Sequence, residues 1–253
     1  MNNTIEVNEA PVGIVGFGVV GEAMESALLA ANFDVLVYDI NPDKCKQSLK
    51  DVIRRCELIF VCVPTPNRED GLINLDFVTA VLDRIDKINS KYSNLHPVIL
   101  IKSTVTPGTT DKLQKKYPKL RLGYCPEFLR QKYAMLDAQN PSRIVVGMCN
   151  PEDEKDVRLI INELNCENIV YTTPVNAELI KLLSNAFLSV KVAYANIIAR
   201  FCEVYGGDCD LIYYGLQLDP RVNGSHLNPS RGKMSVDSPC LPKDLKALIA
   251  DLK

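Results

Sequence analysis

The sequence predicts an α/β protein: a Rossmann-type doubly wound parallel sheet followed by a long helix and a small helical segment. Three observations predict it. Short apolar runs rich in β-branched residues alternate with helical-period segments. One such run leads straight into Gly16-Phe17-Gly18-Val19-Val20-Gly21. Residues 176–205 then contain neither Gly nor Pro and are apolar nearly all round. Strands apolar throughout and separated by helices belong in a parallel sheet covered on both faces.

Taken in order, the runs at 12–15, 35–38, 58–63, 98–101, 120–124 and 144–147 predict strands. Helices are predicted at 19–31, 43–54, 75–91, 108–117 and 151–164. After Pro174 the pattern changes. A helix of roughly 30 residues would be about 45 Å long. Apolar on several faces, it must pack on its own domain and on something further, which predicts a homodimer through this helix. Gly206-Gly207 ends it, a short helix is predicted near 208–217, and a Gly/Ser/Asn/Pro-rich stretch covers 219–239. A last helix is predicted over 241–252. The expected division is a dinucleotide-binding domain over 1–174 and a dimerisation and substrate segment over 175–253.

The 253 residues hold 29 Lys+Arg against 31 Asp+Glu, with 47% hydrophobic and 24% charged residues. That composition is globular and excludes disordered and collagen-like chains. A net charge of −2 gives no electrostatic case for nucleic acid or an anionic membrane. The first residues lack a secretory signal, and no apolar run approaches the ~20 residues that span a bilayer. Nine cysteines without a CxxC, alongside two histidines, argue against a disulfide framework or a metal site. Reduced thiols in a cytoplasmic protein are expected.

The glycine run follows a predicted strand and opens a predicted helix, which is where a dinucleotide pyrophosphate meets free helix N–H groups. Asp39 ends the second strand and would accept hydrogen bonds from the adenosine ribose, favouring NAD; Lys44 nearby tempers that preference. Further polar groups stand at strand ends in Val63-Pro64-Thr65-Pro66 and in Lys102-Ser103-Thr104-Val105-Thr106-Pro107-Gly108. Either could touch a ligand or simply form a turn or cap. Cys240, in Pro239-Cys240-Leu241-Pro242-Lys243-Asp244, sits where a helix should begin. A thiol at a helix N-terminus beside a lysine should be acidified and nucleophilic, although the spacing equally suits a structural cysteine. Lys181 and Asn185 share a helix face and would suit a developing oxyanion; a snorkelling lysine and a packing amide would show the same spacing. Glu127, in Cys125-Pro126-Glu127-Phe128-Leu129-Arg130-Gln131, follows a predicted strand.

Together, the dinucleotide loop, VPTP, KSTVTPGT, CPEFLRQ, PSRIVVG, AELIKLLSNAF, DPRV and CLPKDLKAL resemble the UDP-glucose/GDP-mannose dehydrogenase family over about residues 11–250. The resemblance implies NAD-dependent, four-electron oxidation of a sugar primary alcohol to a carboxylate, with a nucleotide sugar as substrate. Cys240 matches the family nucleophile, Lys181 and Asn185 its oxyanion donors, and Asp244 the carboxylate that assists proton transfer. Thr104 and Glu127 match residues around the reacting water and substrate, with Phe128 and Leu129 beside them. Pro64, Thr65, Gln131 and Lys243 match cofactor contacts. Arg221 matches a substrate contact that many members take from the partner subunit. The chain departs from the family at Gln131, where a second glutamate is usual, and at 232–239, where a Gly- and Phe-rich loop is usual. It also ends shortly after Asp244, so the family's C-terminal nucleotide-binding domain is expected to be absent. Two other readings stand beside it: from these departures, a catalytically impaired NAD-binding relative that needs a partner domain; and, from a similar Rossmann-plus-long-helix plan with a helix-borne Lys and Asn, a one-step β-hydroxyacid dehydrogenase.

Overall fold

A computed structural model describes residues 10–92, 96–225 and 240–251. The altered loop at 232–239 lies outside the described residues, as does the side chain of Cys240. The chain divides into two compact units, one of Met1–Pro66 with Ile73–Lys181 and one of Asn67–Leu72 with Leu182–Lys253.

The first unit is built on seven strands: β1 (Val12–Val15), β2 (Val35–Tyr38), β3 (Leu58–Val61), β4 (Val98–Ile101), β5 (Arg121–Tyr124), β6 (Ile144–Met148) and β7 (Ile169–Thr172). They lie in the order β2-β1-β3-β4-β5-β6-β7. Its helices are α1 (Val19–Ala30), α2 (Leu49–Arg55), α3 (Asp76–Asn89), α4 (Thr109–Lys116), α5 (Ala134–Gln139), α6 (Glu154–Ile161) and the start of α7 (Pro174–Tyr205). Alternation along each strand divides the core. Leu58, Phe60, Val98 and Leu100 pack with Met24 and Leu28 of α1 and Val157 and Ile160 of α6. Ile59, Val61, Ile99 and Ile101 face the other way, onto Leu49 and Val52 of α2, Val78 and Leu82 of α3 and Leu113 of α4. Both faces of the sheet are therefore covered, as doubly wound strands require.

Four findings depart from the expectation. The sheet is parallel from β2 to β5, but β6 runs antiparallel to β5, with Gly123 opposite Met148. Between them the chain makes a 3-10 turn at Gln131–Tyr133 and the six-residue α5. This connection does not return to the amino edge, and β6 enters from the carboxyl edge. Strand β7 was not predicted; it is a short, partly exposed edge strand. The helix expected from residue 43 begins only at Leu49. Lys46 and Gln47 instead donate their backbone N–H groups to Val37 O, and Gln47 Oε1 accepts from Val37 N at 2.7 Å. These bonds satisfy the open side of edge strand β2, and Ser48 then caps α2 by accepting from Asp51 N. The region 151–164 begins as a 3-10 turn, Pro151–Asp153, before α6.

In the second unit α7 continues to Tyr205 and is followed by α8 (Cys209–Gln217) and α9 (Cys240–Asp251). Asp208 caps α8 by accepting from Asp210 N and Leu211 N. Val192, Ala195, Ile198 and Cys202 form the buried side of α7. Its other side exposes Leu183, Phe187, Val190, Tyr194, Ile197, Phe201 and Val204. Against the expectation that no segment could span a bilayer, α7 is long and apolar enough to do so by length and composition. Its Glu178 and Lys181 are nonetheless buried against protein partners, as described below.

Candidate active site

Strands β1 to β5 are parallel, so their carboxyl ends share one edge, where ligands of open α/β sheets bind. Five candidate segments follow these ends in turn: the glycine loop after β1, Asp39 after β2, Pro64-Thr65 after β3, Thr104 after β4 and Glu127 after β5.

The glycine loop is shaped by close approach. Gly16 has φ +97°, and a Cβ there would stand 2.5 Å from Cys62 O; one on Gly21 would stand 2.1 Å from Gly16 O. Gly18 is different: it has φ −91°, and a Cβ there would meet nothing within 4 Å. It precedes α1 without a side-chain cap, which leaves helix N–H groups facing open space. Asp39 braces the loop, its Oδ2 accepting from Phe17 N at 2.6 Å and its Oδ1 from Asn41 N at 2.8 Å. Each carboxylate oxygen keeps a further lone pair for a ribose hydroxyl. Lys44 donates to Phe17 O at 3.0 Å and lies 3.5 Å from Glu22. Val19 is exposed and Val20 packs on the apolar layer beneath. An uncapped helix start, an open Gly18 and a carboxylate at the β2 end fit a dinucleotide.

Ser103 ties the next two loops together: its Oγ accepts from Val63 N at 3.0 Å and donates to Val63 O at 2.6 Å. Thr65 is buried and Thr104 half-buried. Lys181, 3% exposed, reaches from α7 to Glu127 and donates to its backbone O at 2.7 Å and its Oε1 at 2.6 Å. Burial pushes the Glu127 carboxyl up, but the charge and hydrogen bond of Lys181, the Leu129 N–H and the charge of Lys102 outweigh it. The group is held below the ordinary carboxylate range and is ionised at neutral pH. Phe128 lies under Arg143, 3.8 Å from the ring centroid, with the Lys181 ammonium 5.6 Å from the same ring. Gln131 is exposed at the start of its turn.

In the second unit Asn185 Nδ2 donates to Asp244 Oδ2 at 2.6 Å, and Asp244 is 1% exposed. Lys243 Nζ lies 2.7 Å from Asp244 Oδ1, so the carboxylate is held by an amide on one oxygen and an ammonium on the other. Cys240 is the first residue of α9. Asn67, which sequence reasoning missed, donates to Lys243 O at 3.2 Å and to Gly71 O at 2.6 Å. Arg221 is exposed and folded onto Asp219, with Nη2 2.6 Å from Oδ2. Among the described residues no group of three or more metal-ligating side chains occurs.

The structure thus brings Lys181 onto Glu127 in one unit and Asn185 onto Asp244 in the other. It leaves Gln131 and Arg221 on the surface. Ser103 and Glu178, also missed from sequence, anchor the loop that carries Thr104.

Comparison with known proteins agrees. The family model described as the UDP-glucose/GDP-mannose dehydrogenase family, NAD binding domain, matches residues 45–165, and that of its central domain matches residues 175–253. A UDP-glucose 6-dehydrogenase of Rickettsia bellii is 36% identical over 207 residues, covering 79% of this chain and 46% of that protein. A putative UDP-glucose 6-dehydrogenase of Bacillus subtilis is 30% identical over 272 residues, covering 93% of this chain and 61% of that protein. The chain spans about half the length of the Rickettsia relative. In fold it is similar to a UDP-glucose dehydrogenase of Pyrobaculum islandicum, at TM-score 0.85 and 23% identity, covering 97% of this chain and 64% of that one. Two consecutive domains matched in family order, with a relative at 36% identity, leave one assignment: the chain belongs to the UDP-glucose/GDP-mannose dehydrogenase family.

Proposed function

We propose that this chain carries the NAD-binding and catalytic part of a nucleotide-sugar 6-dehydrogenase acting in the cytoplasm, with a UDP-sugar of the UDP-glucose type as substrate. The observation that supports this most directly is the buried Lys181 ammonium held on ionised Glu127 just beyond the carboxyl end of β5. A buried ion pair adds little net stability over an apolar pair of the same size, so its presence supports a chemical use.

NAD, when bound, accepts the hydride that leaves the sugar carbon in each of the two oxidations. The residues do the rest. Asp244 takes the hydroxyl proton as the alcohol becomes an aldehyde. The Cys240 thiolate then adds to that carbonyl carbon, and the displaced electron pair moves onto oxygen. Lys181 and Asn185 donate to this oxygen as it gains charge. Loss of the second hydride leaves a thioester, and water held at Glu127 and Thr104 attacks it, releasing the carboxylate and the thiol. Lys243 and Thr65 are assigned to the cofactor, Phe128 and Leu129 to the substrate, and Arg221 to the substrate of a partner subunit. A one-step β-hydroxyacid dehydrogenase would need Lys181 and Asn185 but no thiol, so Cys240 separates the two chemistries.

The test is NADH formation by the purified chain with NAD⁺ and, separately, UDP-glucose, GDP-mannose or UDP-N-acetylmannosamine. Two NADH per sugar are expected with one of them. One NADH per sugar would move the chain to the one-step class; NAD⁺ binding without turnover would identify it as an impaired relative or one requiring a further domain.

Two predictions arise here. Gly18→Val leaves the fold intact, since φ there is negative and the space around it is open. It should weaken NAD⁺ binding at least about tenfold, because a branched side chain displaces the pyrophosphate from the helix start. Unchanged affinity by calorimetry would remove the cofactor from this loop. The second concerns assembly. Leu183, Phe187, Val190, Tyr194, Ile197, Phe201 and Val204 alternate by four and three, the seam of a two-helix coiled coil. A homodimer through this face is expected, and light scattering should show a monomer for the double variant Phe187→Glu, Ile197→Glu. A monomeric parent protein at micromolar concentration would contradict it.

A further inference from the structure

Glu178 and Lys181 stand three apart at the start of α7, the spacing of an ordinary helix-surface ion pair. They do not pair. Lys181 goes to Glu127, and Glu178, which is fully buried, turns to a different element. Its Oε2 accepts from Gly108 N at 2.5 Å; its Oε1 accepts from Thr110 N at 2.8 Å and Thr110 Oγ1 at 2.6 Å. Helix α4 has no N-cap side chain of its own, because Gly108 occupies that position with φ +77°. A carboxylate from far along the sequence supplies the cap and meets the positive end of the helix dipole.

The bond has two ends that matter. On α4 it fixes the far end of the segment carrying Thr104, whose near end is fixed by Lys102 N and Ser103 Oγ on β3 and the loop after it. On α7 it fixes the turn that projects Lys181. We infer that Glu178 is a positioning residue: by capping α4 it holds the Thr104 loop in place and seats the Lys181 ammonium on Glu127. Burial raises the Glu178 carboxyl despite the hydrogen bonds from Thr110 and Gly108, with Asp111 adding to the rise.

The test uses the full chain, Glu178→Gln and Thr110→Val. Glutamine keeps one acceptor for Thr110 but turns an NH₂ toward Gly108 N, so the cap is broken at constant volume. Lys181 is followed by reductive dimethylation and mass spectrometry, with exposed Lys87 as internal reference. In Glu178→Gln its labelling relative to Lys87 should rise about tenfold, the change expected for one lost charge-assisted bond. In Thr110→Val it should rise in the same direction by less. The kinetic arm rests on the dehydrogenase reading: kcat should fall by a similar factor while KM for NAD⁺ stays put. Lys181 as protected in the folded variants as in the parent would overturn the assignment. Should Glu178→Gln fail to fold, Thr110→Val alone decides. A parent protein without turnover whose Lys181 is still released by these substitutions would sink the activity and leave the positioning role standing.

Discussion

Cys240→Ser should lower carboxylate formation by at least about a thousandfold while leaving NAD⁺ binding unchanged, because a hydroxyl lacks the thiolate that captures the aldehyde. The other thiols give this prediction its contrast. Burial pushes Cys56, Cys62 and Cys149 up to about 12, so none is ionised at neutral pH. Cys209 is held up to about 11, chiefly by its hydrogen bond with Cys202. Cys240 opens α9 with Lys243 in the same turn, whereas Cys209, which opens α8, has Asp208 and Asp210 beside it. Brief iodoacetamide treatment at pH 7 should therefore alkylate Cys240 well before these four, with turnover lost in proportion. Retained two-NADH stoichiometry in the serine variant would reject the thiol mechanism. A variant that still makes one NADH per sugar, and no acid, would support it and isolate the first oxidation.

The elements that sequence made legible are those whose apolar pattern is read locally. The continuous runs of β1, β3 and β4 read as strands buried on both faces, and the Gly16–Gly21 spacing after β1 marked the candidate dinucleotide loop. The missed features depend on partners distant in sequence. Residues 43–48 have helical composition, but Val37 on the open edge of β2 captures the N–H groups of Lys46 and Gln47. The reversal at β6 depends on the path of the β5–β6 connection, which apolar periodicity does not mark. At the candidate site, Lys181 and Asn185 were singled out by spacing as one donor pair. Their actual anchors, Glu127 and Asp244, lie 54 and 59 residues away in the chain. Glu178 was not singled out, because three residues before Lys181 it has the spacing of an ordinary surface ion pair, and only the uncapped start of α4 reveals its use.

Lys181→Met carries the largest combined effect on rate and stability. Turnover should fall about 100- to 1,000-fold, as for other single donors to a developing oxyanion. The fold should also lose about 3 kcal/mol at neutral pH, since the substitution leaves the Glu127 carboxylate buried without its main counter-charge. The pH dependence distinguishes this cause from lost packing. In the parent protein the folded-state pKa of Glu127 lies below its unfolded value. Its contribution is therefore fully present above the unfolded value of about 4.3 and is lost as pH falls through the lower, folded one. In the variant burial, the largest single influence, is opposed only by the Leu129 N–H and the Lys102 charge, and the folded pKa is expected to move above the unfolded one. The sign then reverses: ionisation now costs stability, and the cost is relieved as pH falls from 7 toward 5. Urea unfolding at those two values should show the difference between variant and parent shrinking at pH 5. A difference equal at both would mean that Lys181 contributes bulk rather than charge, and with it would go the case for an ammonium placed to meet an oxyanion.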